Sequence, residues 1–273
     1  MSGTTVGRLP AVAAPRAAIV PALVRQEARR LALHPVFLLG LALTAGGLLF
    51  TSLQDEAKRD VIGSVSSGPT FYAGVMALFA ANLVTTRDRR AGSTEVLAPL
   101  PAREHDRTHA LVLASLAPAG LTLAIVLIFH VLFLVLGFYG RVPAPGLLLQ
   151  GAVTVWGGCL LGILVGRWAP VRAGAVLLVI VLMAFNLWAE GADPARRLFG
   201  FMTSWLAWDT RNPNKYTPLI HGSPSWHIAY LLSLCGLAVV AALLRTAPRR
   251  GGLIAVAVVL CCAATAAGMA QVR

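Results

Sequence analysis

The chain has 273 residues, of which 57% are hydrophobic and only 12% are charged, and its mean hydropathy is +0.74. A soluble domain carries about 25% charged residues, so this composition excludes an ordinary soluble protein. The net charge of +12 would suit a nucleic-acid-binding protein. However, the basic residues lie between hydrophobic runs, which is typical of membrane topology and of contact with anionic lipids. We therefore expect an all-α polytopic membrane protein whose partners are membrane lipids and not nucleic acid.

The first predicted element is an amphipathic interfacial helix over residues 21–35, bounded by prolines and placed in a cytoplasmic N-terminus of residues 1–35. Its apolar positions recur at helical spacing, at Val24, Ala28, Leu31 and Ala32. Its polar side is basic and includes Arg25, Arg29 and Arg30. Such a helix lies in the headgroup layer of the inner leaflet, although a solvated basic lead-in is the alternative. No cleavable signal peptide is expected, because this stretch has no long apolar core.

Seven hydrophobic runs follow, and each is close to the roughly 20 residues that a bilayer-crossing helix needs. They cover about 36–54, 69–86, 109–138, 146–166, 173–189, 226–244 and 251–270. Residues 36–245 contain six of these runs, and residues 246–273 contain the seventh. The links at 167–172 and 245–250 contain arginines and a proline, which predicts tight turns at the membrane surface.

The basic residues orient these spans. If the N-terminus is cytoplasmic, 15 lysines and arginines lie inside and 8 lie outside. The positive-inside rule favours that arrangement. We expect a multi-pass protein of the cell membrane with a cytoplasmic N-terminus, an external C-terminus and an external segment over 190–225.

Small and polar residues within the spans predict how the helices pack. Gly158, Gly162 and Gly166 form one row on the fourth span, so another helix can approach closely there. The third span is about 30 residues long, too long for the bilayer core, and Pro118 predicts a kink in it. His130 in the same span is either a functional group or a packed neutral histidine. The four cysteines, all within spans, are expected to be apolar packing residues.

The external segment has an apolar stripe over 194–208, formed by Leu198, Phe201, Met202 and Trp205. This spacing predicts a short interfacial or re-entrant helix near the outer surface. Residues 209–227 are predicted to be a loop, and its Asp209, His221 and His227 fit no metal motif. Trp168, Trp188 and Trp226 fall at predicted span ends, as interfacial tryptophans do.

Catalytic chemistry is not indicated anywhere along the chain. The sequence contains no phosphate-binding G-xxxx-GK-[ST] loop, no HExxH and no G-x-S-x-G. Paired carboxylates within a span, which would favour a proton-driven carrier, are also missing. We expect no catalytic residue, no metal site and no cofactor in this chain.

The cytoplasmic loop over 87–108 reads RDRRAGSTEVLAPLPAREHDRT and gathers charge, one glycine and two prolines between two spans. With the basic lead-in helix before the first span, it resembles the permease subunits of the type-2 ABC exporter family. The matching loop positions are Gly92, Thr94, Glu95, Leu97, Leu100, Pro101 and Arg103. The sequence departs from the family in its seventh span and in having Leu100 where threonine or serine usually precedes the proline.

This resemblance implies a fold of six core spans and a coupling helix in the loop, which docks on a separate cytoplasmic ATPase subunit. A short helix from about Ser93 to Ala98 is consistent with the residues, because Ser93 can cap it and two prolines end it. Leu97 and Leu100 would be apolar anchors, and Glu95 and Arg103 would make charged contacts. ATP and Mg would be bound by the partner, and a second permease chain, identical or paralogous, would complete the pathway.

Two other functions stay open at this point. One is an integral membrane enzyme acting on lipid, with His130 or the 209–227 loop as its site. The other is a non-transporting membrane scaffold or sensor that holds a soluble partner through the same loop. Arg87, Arg89 and Arg90 are equally consistent with partner contact and with simple placement of the loop at the inner interface.

Overall fold

The computed structural model describes residues 16–54, 60–92, 103–139, 142–171, 173–190, 199–200, 206–208, 216–218 and 222–271. Its helices are α1 (Arg16–Ala32), α2 (Pro35–Ser52), α3 (Val61–Pro69), α4 (Val75–Arg90), α5 (Glu104–Ala114), α6 (Leu116–Val135), α7 (Pro145–Trp168), α8 (Gly174–Glu190), α9 (Pro224–Leu244) and α10 (Gly251–Ala270). A π-helical turn, Thr70–Gly74, joins α3 to α4. Two short strands, β1 (Leu206–Trp208) and β2 (Tyr216–Pro218), pair antiparallel.

Six helical stretches in the described part of the chain are long and apolar enough to cross a membrane. They are α2, the continuous α3–α4 stretch, α5 with α6, α7, α9 and α10. This confirms an all-helical architecture and indicates a multi-pass membrane protein. The predicted fifth span corresponds to α8, which has 17 residues. At 1.5 Å per residue it is about 25 Å long, slightly shorter than a bilayer core of roughly 30 Å.

Helix α7 lies at the centre of the bundle, parallel to both α3–α4 and α9. Along α3–α4, Thr70 contacts Thr154, and Asn82 contacts Gly162. Residue numbers therefore rise in the same direction along both helices. Along α9, Pro224 lies beside Gly146, and the Ala241 carbonyl accepts a hydrogen bond from Trp168 Nε1 at 2.9 Å. Helices α4, α7 and α9 therefore end at one face of the bundle, which we call the arginine end.

The glycine row of α7 faces α4 and the π-helical turn. A Cβ atom at Gly158 would overlap the carbonyl oxygen of Gly74, and one at Gly162 would overlap that of Leu78. At Gly166 it would lie 2.8 Å from the Thr85 side chain. The three glycines therefore allow the backbones of two helices to touch, which a larger residue at any of them would prevent.

The second predicted span begins eight residues earlier than expected, at Val61 and not at residue 69. The intervening stretch, VIGSVSSG, looks like a loop because it is rich in glycine and serine. In the fold, Asp60 caps the helix by accepting a hydrogen bond from the Gly63 amide at 2.8 Å. Val61 and Val65 are buried beneath the bundle surface, so tertiary packing overrides the weak local helix preference.

The third predicted span breaks where its proline requires. Pro118 cannot donate to the carbonyl of Ala114, and α5 ends at Ala114. Ser115 at the break is fully buried, donates to the Val112 carbonyl and accepts a hydrogen bond from Trp156 Nε1 at 2.9 Å. The kinked α5–α6 stretch begins five residues before the predicted span, at Glu104.

Helix α1 begins at Arg16, so Pro21 lies inside it and does not bound it as predicted. The missing amide removes only one hydrogen bond, near the helix start. The apolar side of α1 faces the bundle: Leu31 is buried in one core cluster with Phe37 and Ala77, and Ala28 packs against it. Arg25, Arg29 and Arg30 lie on the exposed side.

The predicted external helix over 194–208 is wrong at its end, because residues 206–208 form β1. Trp208 pairs in register with Tyr216, across seven residues that include two asparagines and a proline. The backbone hydrogen bonds of residues 206–208 come from a partner strand. The spacing of apolar residues within 194–208 alone cannot predict that strand. Leu198, Phe201, Met202 and Trp205 lie outside the described residues. So do Asp209 and His221, and residues 209–227 are not all loop, since β2 and the start of α9 fall within them.

Candidate functional site

The loop predicted to couple to a partner leaves and re-enters the bundle at the arginine end. Helix α4 ends at Arg90, and Gly92 takes a left-handed backbone conformation with φ of +63°. Glycine tolerates that conformation without strain and commonly ends helices. The chain re-enters at Arg103, immediately before α5, where the Arg103 amide donates to the Asp106 carboxylate. Thr94, Glu95, Leu97, Leu100 and Pro101 lie outside the described residues.

A buried carboxylate on α1 holds the end of α4 before this loop. Both oxygens of Glu27 accept hydrogen bonds from the guanidinium of Arg87, at 2.7 and 2.9 Å. Arg30 donates to the same carboxylate at 3.0 Å. The Glu27 side chain is only 6% exposed, whereas that of Arg87 is 39% exposed. The bidentate pair therefore joins two elements that are 60 residues apart in the chain.

This arrangement is stabilising only while both partners are present. A carboxylate removed from water costs free energy unless a cation and hydrogen bonds compensate it. Two arginines compensate Glu27, and one of them, Arg87, is the first of three arginines in the last turn of α4. Movement of that end of α4 is therefore coupled to the position of α1.

The other end of the loop has its own polar contacts. Arg167, near the end of α7, donates to Glu104 in the first turn of α5 at 3.3 Å. His105 lies 3.4 Å from the hydroxyl of Thr246, in the link between α9 and α10. The start of α5 thus contacts the arginine ends of two further helices. Both ends of the loop are held by charged or polar side chains rather than by apolar packing alone.

A basic groove of about 900 Å³ opens between α1 and the arginine end of α4. Four arginines line it, together with His34 and several apolar side chains: Arg25, Arg29, Arg30 and Arg87. Burial lowers the pKa of His34 below its ordinary value, so this imidazole is neutral near pH 7. Its Nδ1 accepts a hydrogen bond from the Val36 amide at 3.3 Å and caps α2. The positive charge of the groove therefore comes from the arginines.

A second cavity, of about 390 Å³, lies within the bundle between the π-helical turn, α7, α8 and α9. Its walls are mainly leucine, valine and glycine. Three polar residues interrupt them: Thr70 and Thr154, whose hydroxyls are 2.6 Å apart, and the nearly buried Asn186. Pockets of this size with few polar groups are typical of small apolar ligand sites between the helices of a bundle.

The two histidines considered as functional candidates make local contacts. His130 Nδ1 lies 3.0 Å from the hydroxyl of Tyr139, in the aromatic cluster that follows α6. His227 is buried in the first turn of α9, 2.8 Å from the Gln271 side chain. Among the residues that the structure describes, no three His, Cys, Asp or Glu side chains are placed to hold a metal ion.

Comparisons with protein-family models, with curated proteins and with solved structures gave no match to this chain. The functional interpretation therefore depends on the residues and their geometry.

Sequence reasoning missed Glu27 and gave Arg87 no partner. One signal was available: Glu27 is the only acidic residue in the first 54 positions, within a helix that carries several arginines. A lone carboxylate on a basic helix indicates an internal ion pair, but its distant partner is not evident from spacing. The π-helical turn and the Thr70–Thr154 pair left no comparable signal.

Proposed function

We propose that this chain is the transmembrane permease subunit of an ATP-driven exporter, coupled to a separate ATPase subunit through the loop over 87–108. The observation that carries the proposal is the anchoring of both ends of that loop. Arg87 is fixed to Glu27 of α1, and Glu104 contacts Arg167 of α7. A loop held in this way transmits force from a docked partner into several helices at once.

The proposed mechanism assigns separate roles to the loop and the helices. Binding of ATP would draw the ATPase subunits of the complex together. That movement would pull the segment between Gly92 and Arg103. Because α4 and α7 touch along the glycine row, they would move as one unit. Helix α1 would follow through the Glu27 carboxylate, and a second permease chain would supply the other wall of the substrate pathway.

Seven crossings form part of the proposal, and the helix directions support them. Helices α7 and α9 are parallel, so the chain must return across the bundle between Trp168 and Pro224. Among the described residues of that interval α8 is the apolar helix, and tilt or local bilayer thinning would accommodate its short length. Helix α10 runs back beside α9, with Gln271 next to His227.

The arginine end is proposed to face the cytoplasm. Arg87, Arg89 and Arg90 at the end of α4 lie at the same face as Arg167. The positive-inside rule places such a face in the cytoplasm. An epitope after Arg273 is then expected to be labelled from outside intact cells. Labelling only after permeabilisation would contradict the seven-crossing topology.

The central experiment is co-purification. The full-length chain is isolated from membranes of its own host in mild detergent, and bound proteins and ATP hydrolysis are measured. We expect a nucleotide-binding subunit to co-purify and its ATP hydrolysis to be stimulated by the chain. A complex with no nucleotide-binding protein would overturn the proposal, and a bound partner without stimulated ATP turnover would favour the scaffold function.

Two loop variants locate the contact. Glu95→Lys and Leu97→Asp are expected to reduce partner binding at least about fivefold, the loss typical of a contact residue worth more than about 1 kcal/mol. Arg249→Asp is the matched control, because it changes charge at an exposed position of the same end outside the loop. Equal losses in the control would show that general charge, and not the loop, determines binding.

A further inference from the structure

We propose that the basic groove between α1 and the arginine end of α4 is a binding site for the phosphate of an anionic membrane lipid. The site shares Arg87 with the start of the loop but includes none of the residues predicted to contact the ATPase. Only its assignment to the cytoplasmic leaflet depends on the orientation proposed above.

Charge is the first argument. Arg25, Arg29, Arg30 and Arg87 line one groove, and none of the described residues that line it is acidic. Glu27 lies behind it, almost fully buried, and Asp88 pairs with Arg87, so two carboxylates offset two of the four positive charges. Guanidinium groups bind phosphate oxygens through paired N–H donors, which makes arginine better suited than lysine to a fixed phosphate site.

Pre-organisation is the second argument. Glu27 accepts from both terminal nitrogens of Arg87, and Asp88 accepts from its Nε at 3.2 Å. These bonds account for three of the five donors of an arginine and set the plane of the guanidinium. Arg30 uses one donor on Glu27, and Arg25 and Arg29 are exposed beside it. An anion entering the groove therefore meets at least one arginine that is already oriented.

Apolar surface in the same groove indicates a lipid rather than a soluble phosphate. Leu33 is 56% exposed, and it lines the groove with Pro35, the first residue of α2. Leu83 forms part of the opposite wall on α4. The arginines flank the start of α2 and the end of α4, two helices long enough to cross a membrane, and Leu83 lies one turn further into α4 than Arg87. This arrangement matches a phosphate with an attached acyl chain.

The test measures lipid binding to the purified full-length chain in a neutral detergent. Dioleoylphosphatidylglycerol and dioleoylphosphatidylcholine are added separately, and bound lipid is counted by native mass spectrometry and by the shift in thermal unfolding. We expect phosphatidylglycerol to bind and raise the unfolding temperature, whereas phosphatidylcholine has little effect. No ATPase is present, so the result is independent of the transport proposal.

A matched pair of double variants locates the site. R25Q/R29Q removes two groove arginines and is expected to weaken phosphatidylglycerol binding roughly 25-fold, at about fivefold per arginine. R249Q/R250Q removes the same charge from exposed positions at the same end, outside the groove, and is expected to change affinity less than about twofold. All four positions are exposed, so folding should be preserved.

Three outcomes would overturn the proposal. Equal binding of the two lipids would show that the headgroup charge is not recognised. Equal losses in both double variants would show a diffuse electrostatic attraction with no site. A thermal shift from inorganic phosphate as large as that from phosphatidylglycerol at the same concentration would show that the site takes a free anion and not a lipid.

Discussion

Helix α4 is held by two contacts of opposite character. In the middle of the bundle it lies against the glycine row of α7, where backbone atoms meet and no space remains for a Cβ atom. At the arginine end it is held by the Glu27–Arg87 pair, in which one partner is buried and the other is more than one-third exposed. The first contact depends on close steric fit between two helix backbones, and the second depends on attraction between opposite charges.

The difference indicates which parts of the molecule can move relative to each other. Close backbone packing has a single well-fitted arrangement, and displacement loses many contacts at once. The ion pair is held less closely, because the guanidinium of Arg87 reaches water and can shift in angle, although the buried Glu27 carboxylate keeps a cation beside it. We therefore expect α4 and α7 to form a rigid unit, and α1 to be the adjustable element at its end.

The largest predicted effect on the free energy of unfolding is at the contact between α4 and the glycine row of α7. Gly162→Leu places a side chain against the Leu78 carbonyl and within 3.0 Å of Ala81 and Asn82. We expect a loss of about 3 kcal/mol in the free energy of unfolding, since overpacking against backbone cannot be relieved by a rotamer change. Thermal unfolding in detergent measures it.

Gly120→Leu is the control for this change, because nothing lies within 4 Å of a Cβ atom there. That variant is expected to stay within about 0.5 kcal/mol of the unmodified chain. Similar losses at the two glycines would show that helix propensity or general hydrophobicity, and not the α4–α7 contact, causes the effect.

Loss of the Glu27–Arg87 pair should have an intermediate effect on the free energy of unfolding. Glu27→Gln removes the bidentate acceptor of Arg87, and we expect a loss of about 1–2 kcal/mol, below the usual range for a buried pair because Arg87 reaches water. Greater accessibility of α1 to cysteine labelling is expected as well. The reciprocal variant Glu27→Arg with Arg87→Glu should recover part of the loss, and complete absence of recovery would argue against direct pairing.

The smallest effect is predicted at the other charged contact of the loop. Glu104 is 60% exposed where it meets Arg167 at 3.3 Å. The Arg167 side chain is only 12% exposed, but a glutamine at position 104 still offers it an acceptor and water reaches the carboxylate side of the pair, so Glu104→Gln should change the free energy of unfolding by about 0.5 kcal/mol. A loss as large as that of Glu27→Gln would mean that exposure does not distinguish the two pairs.

Features with a local period could be predicted from the sequence. The glycine row repeats every fourth residue, so its place on one face of α7 followed from helix geometry alone. Pro118 likewise predicted the interruption between α5 and α6, because a proline acts on the carbonyl four residues before it. The helix ends at Trp168 and Leu244 also fall where the arginines and prolines of the following links predicted a break.

Features that depend on distant residues could not be predicted. Val61–Gly68 looks like a loop until packing buries its valines, and residues 206–208 look helical until β2 pairs with them. Glu27 and Arg87 meet only because α1 folds back against the bundle. The coupling residues between Ser93 and Pro101 lie outside the described chain, so their role stays a prediction.

The parallel direction of α4, α7 and α9 has an electrostatic consequence. Each helix has a partial negative charge at its carboxyl end, and here three of these ends meet at one face. Arg87, Arg89 and Arg90 occupy the last turn of α4, and Arg167 occupies that of α7. Arg245 follows α9. The same arginines therefore neutralise three aligned helix dipoles, and this stabilisation is internal to the fold, so it is the same whichever way the chain crosses a membrane.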